Sequence, residues 1–370
     1  LPISKQYQWN GDKLIEISND SVSVYENLIS INKKTYLFSY DDIESELEDS
    51  TINISRVNFT GKGKKTMLFN SFRGIGFIDL NNKSKTVHFI FPDNSKNQQI
   101  SPDYNYLAYT KDNNMFILDK NNNETAITDE KDTGIVYGQA VHRNEFGINN
   151  GIFWSPSGNK IAFYRMDETM VSEYPIVDMS ARTAELQSIR YPMAGMTSHT
   201  VSIGIYDTST GRTIYLNTGE PDDHYLTNIS WSPDESFIFV AELNRSQNHM
   251  KLNRYNSSTG EFEKTLFEEI HSKYVEPQYP ALFVKEKDDK FIWQSRRDGY
   301  NHLYLYDITG KLIKQLTTGE WEITDIIGFD EKGENLYFVS TNPTPLERHV
   351  YSVELRSGTT KRHTYEPGIH

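Results

Sequence analysis

The chain has 370 residues and a mass of 42.8 kDa, large for one ordinary domain unless that domain is built from repeats. A formal net charge of −13 and a pI near 5.3 argue against a phosphate-binding surface, and so against nucleic acid as a partner. Mean hydropathy is −0.63, and no apolar run approaches the ~18–20 residues that a membrane-spanning helix needs.

Aromatic residues make up 13% of the chain, led by 23 Tyr and 19 Phe, which favours strands over helices. With zero cysteines there is no disulfide framework, thiol nucleophile, Cys-type zinc site or iron–sulfur cluster. The chain opens at Leu1 without a basic-then-apolar leader, so a processed or trimmed start is expected.

Repeats organise the sequence. A turn followed by a short apolar strand begins at Asn10-Gly11 and again at Thr60-Gly61-Lys62-Gly63. It returns as Ser101-Pro102-Asp103 before Tyr106, as Trp154-Ser155-Pro156-Ser157-Gly158 before Ile161, and as Trp231-Ser232-Pro233-Asp234 before Phe237. Weaker copies stand at Val284–Asp288 and at Gly328–Gly333. Proline presets φ at the first central position of such a turn, and Asp, Asn or Gly accepts the tight return. A second strand then ends in aspartate at Asp119, Asp207 and Asp307, where the carboxylate is expected to accept backbone hydrogen bonds before a further strand.

Turn, strand, hairpin and strand recurring at roughly 40–55 residues is the pattern of a β-propeller blade, and seven starts predict about seven blades. Composition shifts and linkers that would mark a string of small sandwiches are missing, so 1–370 reads as one all-β propeller domain. The spacing widens after Trp154, where Arg165–Thr200 must hold an insertion. Asp41–Ser50, the one dense acidic run, reads as a solvated connection between first-blade strands. Trp154, Trp231 and Trp293 read as packing residues on blade strands. The sequence stops where another repeat would open, the expectation being that it is a piece of a longer protein.

A propeller does not fix a function. No Gly-x-Ser-x-Gly elbow, His-Glu-x-x-His, P-loop, EF-hand or dinucleotide glycine pattern occurs, so no catalytic residue, metal ligand or cofactor is assigned to the chain. Gly134–Gly147 breaks strand alternation just before the Trp154 strand. It reads either as a plain connection with a solvated glutamate or as a protrusion offering a carboxylate to a ligand.

The segments Val141-His142-Arg143-Asn144-Glu145-Phe146-Gly147, Phe163–Glu168, Arg190–Gly195, Leu243–Asn248, Arg297–Tyr304, Gly319–Thr324 and Pro345–His349 occur in a specific order and spacing. On these the chain resembles the N-terminal propeller of the dipeptidyl peptidase IV family of serine exopeptidases, closest to its prolyl tripeptidyl aminopeptidase branch. The resemblance covers about Ile135 onward; the earlier residues match in general pattern only.

It implies an eight-bladed propeller, about seven blades of it in this chain, with a short inserted helical segment near 138–147. It also implies a C-terminal α/β-hydrolase domain, carrying the Ser-Asp-His triad, as partner within the same polypeptide. The substrate would be a peptide with a free N-terminus, cut after proline. An exported protein of the periplasm or cell envelope is implied as well, and a homodimer is compatible with the family.

By position, Glu145 is the carboxylate that would bind the α-ammonium. Asn144 stands where dipeptidyl members carry a second adjacent glutamate, which favours tripeptide release and leaves dipeptide release open. Arg73 is the nearest candidate to hold a substrate carbonyl, though its surroundings lack the family's Tyr-Arg-x-Ser pattern and suit a surface arginine. The competing reading is a stand-alone propeller used as a binding scaffold. The reading frame beyond His370 separates the two.

Overall fold

The Ser-Pro turns work because their serines are buried. Ser101, Ser155 and Ser232 are each fully inaccessible, and each hydroxyl accepts the amide that opens the following strand. Ser101 Oγ takes Tyr106 N–H at 2.9 Å, Ser155 Oγ takes Lys160 N–H at 3.1 Å, and Ser232 Oγ takes Phe237 N–H at 3.0 Å. In the last repeat Asp330 substitutes, its Oδ2 accepting Asn335 N–H at 3.1 Å. The turn therefore closes a hairpin between the first two strands of a sheet and satisfies donors that burial would otherwise strand.

The computed structural model describes residues 6–10, 13–18, 21–25, 34–47, 52–60, 66–81, 84–180 and 182–370. Of the eight antiparallel sheets within them, seven are the blades of a β-propeller, in chain order at 6–39, 52–90, 96–126, 135–215, 225–270, 282–315 and 323–362. Six have four strands, and the fourth has its first strand in two pieces. The expected turns at Gly11 and at Gly61–Gly63 lie outside the described residues.

Two compact units divide the chain within the strand Asn114–Asp119. The first holds the residues through Lys111 and Phe116–Ala126, with cores around Ile15, Val22, Phe38, Met67 and Phe69 and around Phe77, Phe89, Leu107 and Tyr109. The second holds Asp112–Met115 and Ile127–His370. Its cores run along the sheets from Ala162, Ile203 and Val240, through Phe239, Phe291 and Trp293, to Ile292, Leu336 and Phe338.

The hairpin aspartates behave as expected. Asp119 Oδ1 accepts Asn121 and Asn123 amides, Asp207 Oδ1 those of Ser209 and Thr210, and Asp307 Oδ1 those of Thr309 and Lys311, all within 3.0 Å. Burial alone would raise the Asp207 and Asp307 carboxyls; the hydrogen bonds outweigh it and hold both below the usual range. Asn256 serves the same geometry in the fifth blade.

Two expectations need correction. The acidic run is not a connection between first-blade strands. Tyr40–Leu47 is an α-helix between the first blade and the second, and residues 48–50 lie outside the described set. Ser39 and Asp42 form a reciprocal capping box, Asp42 N–H to Ser39 Oγ at 3.0 Å and Ser39 N–H to Asp42 Oδ2 at 2.9 Å, while Ile43 enters the core. The short helical segment expected near 138–147 is present as one 3-10 turn, His142–Asn144, within an otherwise irregular excursion. Trp231 and Trp293 are buried packing residues, but Trp154 is only half-buried.

Replacing Ser232 with alanine strands the Phe237 amide in the core. The chain should lose roughly 1–3 kcal/mol, read as a lower midpoint in urea unfolding with an unchanged slope; a midpoint at the parent value would refute the capping role.

Candidate functional site: a carboxylate turn on the fourth blade

The excursion arises because the first strand of the fourth blade is interrupted. Ile135–Tyr137 and Ile152–Trp154 both pair with Lys160–Asp167, Tyr137 opposite Arg165 and Ile152 opposite Phe163. Only Tyr164 separates those rungs. It donates its N–H to Gly151 O at 3.1 Å and accepts Gly138 N–H at 2.8 Å. Everything between leaves the sheet and returns at one point. At that pinch a Cβ on Gly151 would stand 2.2 Å from Gln139 O, so only glycine fits.

Alternating burial anchors the excursion. Val141, His142, Phe146 and Ile148 are buried, whereas Arg143, Asn144 and Glu145 are exposed. The backbone takes left-handed φ at His142 (52°), Arg143 (56°) and Asn144 (63°), then again at Phe146 (57°). Each such non-glycine residue costs roughly 1–2 kcal/mol, and such strain persists only where tertiary contacts over-determine it. Gly147 follows at φ +73°, with its α-carbon so close to Gln278 that a Cβ would lie 2.1 Å from the carbonyl oxygen.

His142 is the anchor. Its Nε2 accepts Leu226 N–H at 3.3 Å, which puts the ring proton on Nδ1. Nδ1 lies 3.3 Å from His199 Nε2 and donates to it, so the proton of His199 must sit on its own Nδ1. That atom is buried without a partner among the described residues. The Tyr225 ring wedges edge-on between His142 and Phe146, 5.0 Å from each, and its hydroxyl accepts from Arg245 Nη1 at 2.8 Å and Gln247 Nε2 at 3.2 Å.

Burial pushes the His142 imidazole down to about 3, helped by the neighbouring His199, His224 and Arg245. Burial, with Arg143 and Arg245, brings His199 to about 4. Both rings are neutral at physiological pH.

Glu145 ends the turn in extended backbone, φ −68° and ψ 165°. Its carboxylate makes no hydrogen bond or ion pair among the described residues. Asn144 is exposed beside it, using only its backbone N–H, toward Val141 O. These two predicted residues share one turn. Arg73 belongs to the other compact unit, exposed in the bend after Thr66–Ser71, with its N–H on Ser71 Oγ at 3.2 Å.

The expected insertion after Trp154 is a hairpin, Glu173–Asp178 paired with Glu185–Arg190, between the second and third strands of the blade. At its base Arg165 and Asp167 form an ion pair at 3.5 Å. Glu168 is half-buried, and burial raises its carboxyl against the opposing pull of Arg143 and Arg190. Composition could not reveal His199 or Tyr225 as parts of the site, because each reaches the turn only through the fold.

An imidazole held neutral binds its proton at lower pH than the unfolded chain does. Stability is therefore complete above about pH 6.5 and falls toward pH 4, by at most ~1.4 kcal/mol per pH unit for each ring. His199→Gln should flatten this acid limb in chemical unfolding measured from pH 7 to 4; an identical slope would contradict the neutral pair.

The fold agrees with comparison to known proteins. The family described as the dipeptidyl peptidase IV (DPP IV) N-terminal region matches residues 54–370. A protein of Arthroderma gypseum described as a dipeptidyl-aminopeptidase B is 30% identical over 285 residues, 69% of this chain and 31% of that protein. Its counterpart in Tuber melanosporum is 31% identical over 293 residues, 69% of this chain and 32% of that protein. This chain thus spans about a third of the length of these relatives. A Bacteroides ovatus crystal structure described as a dipeptidyl aminopeptidase IV superposes with a TM-score of 0.86 at 40% identity, over 97% of this chain and 53% of that one. Porphyromonas gingivalis dipeptidyl peptidase 4 gives 0.78 at 23% identity, over 100% and 54%, a likeness of fold. Propeller blades and sequence together make this chain a member of the dipeptidyl peptidase IV family, within its N-terminal propeller region.

Proposed function

We propose that the chain is the N-terminus-recognising and substrate-gating propeller of a serine exopeptidase that releases di- or tripeptides after proline. The observation that carries this reading is Glu145: an exposed, unpaired carboxylate at the tip of an excursion whose flanks are fixed on both sides. A peptide α-amino group has a pKa of ~7.7–8 and is largely protonated at neutral pH. A carboxylate waiting without an internal partner can take that ammonium in charge-assisted hydrogen bonds. Desolvation offsets part of the gain, so the contact selects for a free N-terminus more than it adds affinity.

Asn144, beside the acid, can accept one ammonium hydrogen bond through its amide oxygen but adds no charge. A single acid at this turn is the prolyl tripeptidyl pattern and supports release of tripeptides. In this reading the triad and oxyanion hole belong to a C-terminal α/β-hydrolase domain of the same polypeptide. Nearly half the length of the superposed structures lies beyond the part this chain covers, which supports such a domain. The reading includes export to the periplasm or cell envelope, and a homodimer.

In the full-length enzyme, Glu145→Gln should lower kcat/KM on free-amine Xaa-Xaa-Pro or Xaa-Pro reporters by roughly tenfold to a hundredfold, the loss of a charge-assisted contact. Amine-blocked analogues should change far less. Equal losses on both classes, or none on either, would remove Glu145 from substrate recognition. The 370-residue chain by itself should turn over neither reporter.

A further inference from the structure

Arg143 precedes the candidate acid by two residues and points outward from the same left-handed turn. Its guanidinium reaches the insertion. Nη2 donates to Arg190 O at 2.9 Å, and Cζ sits 4.7 Å from the centroid of the Tyr191 ring. The receiving end is itself fastened. Arg190 Nη1 donates to the carbonyls of Glu168, Thr169 and Val171 at 3.1, 3.3 and 3.1 Å. Tyr191 N–H bonds to Ser172 O at 3.0 Å, and the Tyr191 ring packs 6.1 Å from that of Tyr174.

The excursion therefore has a buried side and an open side. Leu226, His199 and Tyr225 hold His142 from within, and Phe146 is sunk in the next core. Between those anchors stand Arg143, Asn144 and Glu145, all exposed, with one side-chain tether among the described residues: the Arg143 guanidinium. A planar, delocalised cation can donate to a carbonyl and lie on a ring at once, which an ammonium cannot do as well.

We propose that Arg143 is a positioning residue, a strap that binds the carboxylate turn to the base of the Glu173–Arg190 hairpin and fixes where Glu145 meets the substrate ammonium. This deepens, and rests on, the reading of Glu145 given above.

Electrostatics and positioning predict opposite signs here. Deleting a cation beside an acid strengthens the local negative potential and should tighten an ammonium ligand. Deleting a strap loosens the turn and should weaken it. In the full-length protein, Arg143→Ala should raise KM for free-amine substrates roughly fivefold to fiftyfold, with kcat within about twofold and blocked analogues unaffected. Tyr191→Ala should act in the same direction without removing any charge, and Arg143→Lys should fall between Ala and the parent. The double variant should be no worse than the larger single one, because both cut one strap. Both side chains are exposed, so neither change opens the core.

Hydrogen exchange gives a readout independent of turnover. The amides of Asn144, Glu145 and Ile148, bonded to Val141 O, His142 O and Glu145 O, should exchange at least about tenfold faster in both alanine variants. Parent-like exchange, or a lowered KM in Arg143→Ala, would overturn the strap. Faster exchange with a silent Glu145→Gln would support the strap and overturn the ammonium reading, so the two claims fail separately.

Discussion

Three successive side-chain-bearing residues in left-handed backbone are the constraint on which the site turns. His142, Arg143 and Asn144 would relax to ordinary dihedrals in an isolated loop, and relaxation would swing Glu145 away. What holds them is a hydrogen bond from Leu226, 84 residues further on, into the His142 ring, backed by the Tyr225 ring and by Phe146 in the neighbouring core. The strain and the anchors belong together: a turn with an unstrained alternative would not present an acid in one place. The neutral histidine pair is part of the same arrangement, since a charged His142 could not accept the Leu226 amide.

The tautomer chain leaves one buried donor, His199 Nδ1, without a partner among the described residues. Such a group costs roughly 1–3 kcal/mol. The cost is tolerable in a blade whose other polar atoms are so thoroughly used. Tyr164 alone closes the excursion with its backbone and reaches Leu226 O with its hydroxyl at 3.0 Å. The fourth and fifth blades are thus joined at Leu226 through both its N–H and its carbonyl, on the strand that supports the turn.

Much of the fold was legible because its signals are local. An aspartate that folds over a hairpin needs only its near neighbours, so Asp207 and Asp307 could be read at sight, whereas the equally local capping by Ser155 and Ser232 lay hidden behind the proline that follows each serine. The helix Tyr40–Leu47 was equally local: Ser39 and Asp42 stand at capping-box spacing, and its acidic composition disguised it as a connection. The excursion's position showed in the loss of strand alternation around Gly138. Its conformation did not, because left-handed dihedrals at His142 and Arg143 contradict their intrinsic preference and come from contacts distant in sequence. Neither His199 nor Tyr225 carries any mark that would join it to Glu145 before the chain is folded.

The pinch at Tyr164 has a consequence for how this blade can diverge. Tyr137 and Ile152 occupy rungs on either side of a single residue of the partner strand, so the sheet's register is indifferent to how much chain lies between them. Residues can be added or removed there without shifting one inward-facing side chain outward, the usual penalty of an indel in a β-strand. The reach of the acid is therefore free to evolve separately from the scaffold, like a caliper whose jaw slides while its frame stays rigid.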